Sequence, residues 1–124
     1  MREFLAAWSH PNAEELRAFL SDDAVWVDGP QGERRGARVI VDELTRQLSL
    51  GRDHTLVIDT LVADGPIVMV EWHRSFTLGG KAISSRVMVA FEVDANGQIK
   101  QMRETYDLKS VLDQIESAGF TVPK

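Results

Sequence analysis

The sequence contains no cysteine, which removes thiol nucleophiles, disulfide cross-links and thiolate-bound zinc from its chemistry and leaves the redox compartment open. Basic residues are in the minority: 14 Lys and Arg stand against 19 Asp and Glu, a formal net charge of -5. Nucleic-acid and anionic-membrane surfaces both need clustered Lys and Arg to meet phosphates. The one dense basic cluster, Arg34-Arg35 with Arg38, is too small to supply such a surface. Long apolar runs are missing as well. None approaches a membrane span, and Met1-Arg2-Glu3-Phe4 has no secretory apolar region behind a basic start, so a soluble cytoplasmic protein is expected. There is no Gly-rich phosphate loop, no Gly-x-Ser-x-Gly elbow, and no spacing among His10, His54 and His73 that suits a metal; no cofactor and no metal are expected.

What is present is patterning for one domain over residues 1–124, a length at which a single core forms without cross-links. Phe4, Leu5 and Trp8 recur at helical spacing until Ser9-His10-Pro11-Asn12 interrupts, and Asn12 is placed to cap a second helix holding Leu16, Phe19 and Leu20. Ala24 to Asp28 reads as the first strand, and Gly29 to Gly36 as a turn with a short second strand around Glu33 to Arg35. A third helix follows from Ala37 to Leu50, with Val39, Ile40, Leu44 and Leu48 on one face and Gly51 as its stop. Beyond it come long β-rich runs: His54 to Ala63, Ile67 to Leu78, Lys81 to Val93 and Gln98 to Tyr106. Each break between them is short enough to join antiparallel neighbours. A last helix, Leu108 to Ser117, ends at Gly119. Three helices, a run of strands and a closing helix predict an α+β cone: a strongly curved, mixed or antiparallel sheet covered on one face, with room for one small ligand in the cup.

Alternation along the strands says which side chains look into that cup. Trp26 and Asp28 share a face of the first strand. The inward sets are Val68, Val70, Trp72, Arg74 and Phe76 in one run, and Ile83, Ser85, Val87, Val89, Phe91 and Val93 in the next. The last run contributes Lys100, Met102, Glu104 and Tyr106. Asp28, Arg74 and Glu104 therefore converge on an apolar interior as candidate catalytic residues, with Trp26, Trp72, Ser85, Val87, Val89, Met102 and Tyr106 as candidate substrate-binding walls. Buried charges require partners, which leaves two readings. Either Arg74 bridges the two acids as a satisfied structural triad, or it holds two carboxylates whose pKa values are pushed apart, one general base and one acid. Asp28 alone could also simply cap the Gly29-Pro30 turn. His10 and His54 read as solvent-exposed. His73 faces outward beside Glu71, on a surface with Met69, Arg86, Met88 and Ala90 whose mixed character suits a homodimer.

Asp22-Asp23-Ala24-Val25-Trp26-Val27-Asp28, following a helix that ends in Phe19-Leu20, resembles the entry to the first strand of the nuclear-transport-factor-2-like superfamily. That superfamily includes ketosteroid isomerases, limonene-1,2-epoxide hydrolases and SnoaL-like polyketide cyclases, and the resemblance spans almost the whole chain. It implies that Asp28 stands where ketosteroid isomerases keep their general base, while Phe4 and Val89 stand in place of their oxyanion-hole tyrosine and aspartic acid. Val68-Met69-Val70-Glu71-Trp72, Val89-Ala90-Phe91-Glu92-Val93 and Met102-Arg103-Glu104-Thr105-Tyr106-Asp107-Leu108 are similar to limonene-1,2-epoxide hydrolase. This implies that Glu104 is the water-activating carboxylate. Trp72 and Arg74 replace that enzyme's Arg-x-Asp pair, and Trp26 and Asp28 its water-holding tyrosine and asparagine.

Two function classes follow. One is a cofactor-free hydrolase, isomerase or cyclase acting on a small hydrophobic oxygenated molecule such as an epoxide, terpenoid, steroid or polyketide. In it Glu104 is general base, Asp28 acid or second base, and Arg74 the group that sets their ionisation and steadies oxyanion charge. The other is a non-catalytic module of the same fold that binds a hydrophobic ligand or serves only as a dimer surface.

Overall fold

The Asn12 side chain accepts hydrogen bonds from the backbone N–H groups of Glu14 and Glu15, and this cap starts helix α1, Ala13–Arg17. The computed structural model of the chain describes Glu3, Ala7 and residues 12–120; the helix expected from Phe4, Leu5 and Trp8 lies outside the described residues, as does His10. Phe19 does not prolong α1, because its carbonyl accepts from the Ile99 N–H at 2.7 Å. Strand β1, Leu20–Asp28, accordingly begins four residues before the apolar run that announces it. A single 3-10 turn at Gly29–Gln31 leads to β2, Glu33–Arg35, and then to helix α2, Ala37–Leu48. Four long strands follow: β3 (Arg52–Asp64), β4 (Ile67–Leu78), β5 (Lys81–Val93) and β6 (Ile99–Thr105). Asp107 caps the last helix, α3, Leu108–Ser117, by accepting from the Ser110 N–H.

The six strands form one curved, unclosed sheet in the order β2-β1-β6-β5-β4-β3. From β3 to β6 it is the antiparallel meander that the short turns predict, but β1 lies parallel to β6, with Trp26 beside Met102 and Asp28 beside Glu104. Parallel neighbours need a long crossover, which here is everything between the two strands. The mixed sheet thus sets two carboxylates side by side that lie far apart along the chain.

Packing follows strand parity. The inner face buries Val68, Val70 and Trp72 of β4 and Val87, Val89 and Phe91 of β5 against Leu16, Leu20 and helix α2. The Trp72 and Phe91 rings pack tilted at 5.9 Å between centroids. Helix α2 supplies Ala37, Ile40, Val41 and Leu44, a stripe at i, i+3, i+4 and i+7. Val39, expected on that face, is instead 50% exposed, and Val41 takes its place. In β6 the parity breaks once. Lys100 is exposed and Ile99 buried, because the pairing with β5 slips between Glu92 and Val93 and absorbs an extra residue. Met102 and Glu104 keep their inward direction. A similar slip in β3 drops Asp59 from the ladder, and its carboxylate pairs with His73 Nδ1.

Past Trp72 the inner face loosens. Arg74 and Phe76 are only half-buried, and α3 closes over this end through a separate small cluster of Leu78, Ile83 and Ile115. Gln114 holds the helix there, its side chain accepting from the Ser84 N–H and donating to the Ser84 carbonyl, both at 2.9 Å. Between the two clusters a hollow remains. No helix among the described residues is long and apolar enough to cross a membrane.

Candidate active site

The hollow is a cavity of about 200 Å³. Phe76, Ile83 and Val87 of the sheet face Leu108, Val111, Leu112 and Ile115 across it, giving one apolar end. Asp28, Glu104, Tyr106, Gln31 and Gln47 form the polar end, and Arg74, Ser85, His54 and Arg46 also line it. That mixture, mostly apolar with a few convergent polar groups, is the usual make-up of a small-molecule site.

Asp28 is 2% exposed and surrounded by donors. Its Oδ2 meets Arg34 Nη1 at 3.1 Å, with the Gln31 and Gln47 amides at 3.4 Å; Oδ1 accepts from the Tyr106 hydroxyl at 3.1 Å. Arg34 also reaches Glu43 at 3.3 Å and lies over the Trp26 ring, 5.3 Å from its centroid. Burial raises the Asp28 pKa above its ordinary value, and Arg34, Tyr106 and Gln47 oppose the rise.

Glu104 sits beside Asp28 on the neighbouring strand, and burial pushes its pKa up to about 7. Arg74 is the main influence in the other direction, while the Asp28 charge adds to the rise. The Trp26 indole N–H favours the ionised form of Glu104 without closing a hydrogen bond to an acceptor among the described residues. Two adjacent acids thus occupy different environments, one amid donors and a guanidinium, the other drier. Burial also raises the Tyr106 pKa, so its phenol stays neutral, donating to Asp28 and accepting from Gln31. Gly29 seats that ring: at φ +48° it adopts a conformation L side chains rarely take, and a Cβ there would lie 2.9 Å from Tyr106 Cε1.

Several expectations are corrected here. The ion-pair partner of Asp28 is Arg34 of β2, not Arg74. Trp26, Trp72, Val89 and Met102 point inward as parity requires, yet they are core beneath the cavity and not its walls. Asp28, Arg74, Glu104, Ser85, Val87 and Tyr106 do line it. His54, read as exposed, is half-buried in the cavity wall, its ring stacked on Phe76 at 4.9 Å and its Nε2 2.7 Å from the Leu50 carbonyl. Burial, with Arg74 adding to it, lowers the His54 pKa. Strand alternation alone does not bring Arg34, Gln31 or Gln47 to the site. For Arg34 a signal exists: Trp26 is its partner across the β1–β2 pair, so both residues, and Asp28, share a face. Among the described residues no cluster of three acidic or histidine side chains could hold a metal ion.

A SnoaL-like domain profile matches residues 1–102, a stretch that ends just before Glu104 and Tyr106. No curated protein matches the chain in sequence. Among solved structures, an LEH-like epoxide hydrolase from M. tuberculosis is 25% identical and superposes with a TM-score of 0.76, covering 94% of this chain and 86% of that one. A protein with a ketosteroid isomerase-like fold from Catenulispora acidiphila DSM 44928, in complex with trimethylamine, reaches a TM-score of 0.80 at 21% identity, over 94% and 92% of the two chains. The epoxide hydrolase/cyclase-like enzyme SalBIII, of pyran ring formation in polyether salinomycin, reaches 0.77 at 16% identity over 88% of each.

Proposed function

Because the chain belongs to the SnoaL-like domain family, and its fold relatives include epoxide hydrolase-like and cyclase-like enzymes, we propose that it is a cofactor-free acid–base enzyme acting on a small hydrophobic oxygenated substrate. Hydration of an epoxide is the reaction the cavity suits best. The observation that carries this reading is the side-by-side placement of Asp28 and Glu104 at a cavity wall in unlike environments. Paired carboxylates whose protonation differs at one pH are the means by which a single site supplies both base and acid.

The geometry favours Asp28 as base, as the likeness to ketosteroid isomerases implies, and departs from the likeness to limonene-1,2-epoxide hydrolase, which would make Glu104 the water-activating group. Burial raises the Asp28 pKa, but Arg34, Tyr106 and two amides gather donors around its carboxylate that oppose the rise and favour the ionised form. Glu104, with a pKa of about 7, still carries a proton over much of the neutral range. Asp28 therefore takes a proton from a water molecule, whose oxygen attacks an epoxide carbon. As the carbon–oxygen bond breaks, its electron pair passes to the epoxide oxygen, which takes the Glu104 proton and yields a diol. Transfer of a proton from Asp28 to its neighbour restores both groups. Arg74 lines the same cavity and steadies negative charge that develops on the oxygen.

The test is turnover of compact terpenoid epoxides in ¹⁸O-labelled water, followed by mass spectrometry of the diol. Asp28→Asn and Glu104→Gln should each lower kcat by roughly 100-fold or more, the range for removal of a general acid or base. Absence of turnover across the panel, or rates unchanged in both variants, refutes the reading. The chain is also proposed to form a homodimer through its outer sheet face, where Val57, Val62, Met69 and Met88 are each more than half exposed.

A further inference from the structure

We infer that the substrate carries a hydroxyl group at the end remote from its reacting carbon, and that this hydroxyl donates a hydrogen bond to Nδ1 of His54; the inference rests on this cavity being the substrate site. The His54 ring is fixed on two sides. Its Nε2 lies 2.7 Å from the Leu50 carbonyl oxygen, and its face stacks on Phe76 with 4.9 Å between centroids and 12° between planes. A carbonyl oxygen can only accept, so Nε2 carries the proton and the neutral ring keeps its lone pair on Nδ1. Nδ1 makes no hydrogen bond among the described residues, and His54 lines the cavity. With Nε2 taken, the one conventional hydrogen bond that the neutral ring can offer a ligand there is acceptance at Nδ1. Strand pairing sets the ring away from the acids. Phe76, on which it stacks, pairs with Ile83, whereas Glu104 pairs with Val89, six residues further along β5. The apolar Val87 lines the interval. A substrate that reaches from the acids to His54 therefore has an apolar middle between two oxygens, an epoxide at one end and an alcohol at the other.

The turn that carries this ring is built from uncommon backbone. Gly51 and Asp53 both lie in the left-handed region, at φ +68° and +57°, and Asp53 is the one non-glycine residue with positive φ among the described residues. A Cβ on Gly51 would collide with the Thr77 carbonyl oxygen, so the chain passes close against β4 just before it presents His54. Left-handed conformations outside glycine persist where the surrounding structure holds them, and they gather at ligand sites. Charge then selects among donors. The Arg74 guanidinium acts on His54, and it repels an ammonium group while leaving a neutral hydroxyl unaffected. Burial together with that charge lowers the His54 pKa, which keeps the ring neutral and Nδ1 an acceptor at pH 7.

The test is binding, not turnover: titration of the purified protein with 3-phenylpropan-1-ol and with its methyl ether by calorimetry, alongside ¹⁵N spectra of the histidine side chains. Wild type should hold the alcohol about threefold to tenfold more tightly than the ether, the worth of one hydrogen bond. Saturation with the alcohol should move the His54 Nδ1 resonance from the position of an unprotonated nitrogen toward that of a protonated one, and the ether should leave it in place. His54→Phe keeps a ring against Phe76 and removes the acceptor, so it should bring the alcohol down to the affinity of the ether. Equal affinities in wild type, no binding of either ligand, a preference that survives in His54→Phe, or an Nδ1 resonance that the alcohol does not move overturns the inference. The wild-type spectra decide the matter even where the variant fails to fold. Glu104→Gln separates the inference from the catalytic reading, since it should silence turnover and spare the alcohol preference. Epoxide turnover without that preference defeats the hydroxyl contact alone; the preference without turnover of any epoxide defeats the chemistry alone.

Discussion

Replacing Glu104 by Gln keeps the shape of the side chain and removes its titration, so it isolates one buried proton. Burial raises the folded-state pKa from the ordinary 4.5 to about 7. The native protein consequently binds more protons than the unfolded chain between those values, and the group's contribution to stability falls as pH rises through that window. Below the unfolded value it is fully present; above the folded value it is gone. A shift of about 2.5 units at 1.36 kcal/mol each amounts to on the order of 3 kcal/mol, most of it lost between about pH 5 and pH 8. Asp28 and Glu43 also titrate away from their ordinary values, so only the difference between variant and wild type is diagnostic. Urea unfolding of both proteins at several pH values gives that difference. Glu104→Gln should gain on wild type steadily as pH rises, by about 2 to 3 kcal/mol over the window. Parallel stability profiles would refute the protonated Glu104 on which the acid role depends.

Two other outcomes test the surroundings. Gly29→Ala forces a Cβ to within 2.9 Å of Tyr106 Cε1 at φ +48°; it should cost roughly 1 to 2 kcal/mol in chemical unfolding and reduce turnover further by displacing the phenol from Asp28, and unchanged unfolding and turnover would show that Gly29 does not hold the ring. On the outer face, Val62→Lys with Met88→Lys alters two side chains that are 58% and 57% exposed. Sedimentation should show dimer in wild type and monomer in the double variant, and a wild-type monomer at every concentration would remove the dimer proposal.

The parts of the site that lie on long strands were legible, because a period of two is unambiguous over a dozen residues. Arg74, Ser85 and Val87 face the cavity for that reason, and Glu104 on the seven-residue β6 does so because the bulge falls before Met102 and leaves the rest of that strand in phase. Parity does not say what covers a face. Trp26, Trp72, Val89 and Met102 therefore looked like walls, when helices and neighbouring strands bury them completely. Lys100 faces solvent against the alternation because a bulge leaves no mark in the pattern it interrupts. Arg34 escaped for want of length: β2 has three residues, too few to show alternation, and its direction follows only from pairing with β1. His54 lies at the start of an edge strand, where its stacking on Phe76 depends on how Leu50 and Gly51 turn the chain.

The shortest strand of the sheet carries the counter-ion of Asp28. β2 is joined to the rest of the sheet through β1 alone, over three paired positions, so it is the segment whose ladder opens at least expense. Whenever it frays, the cation leaves with it and Asp28 loses the neighbour that most opposes its protonation. Edge opening and proton uptake at Asp28 are thus linked equilibria. The charge state of Asp28 is only as durable as a three-residue ribbon at the rim of the sheet.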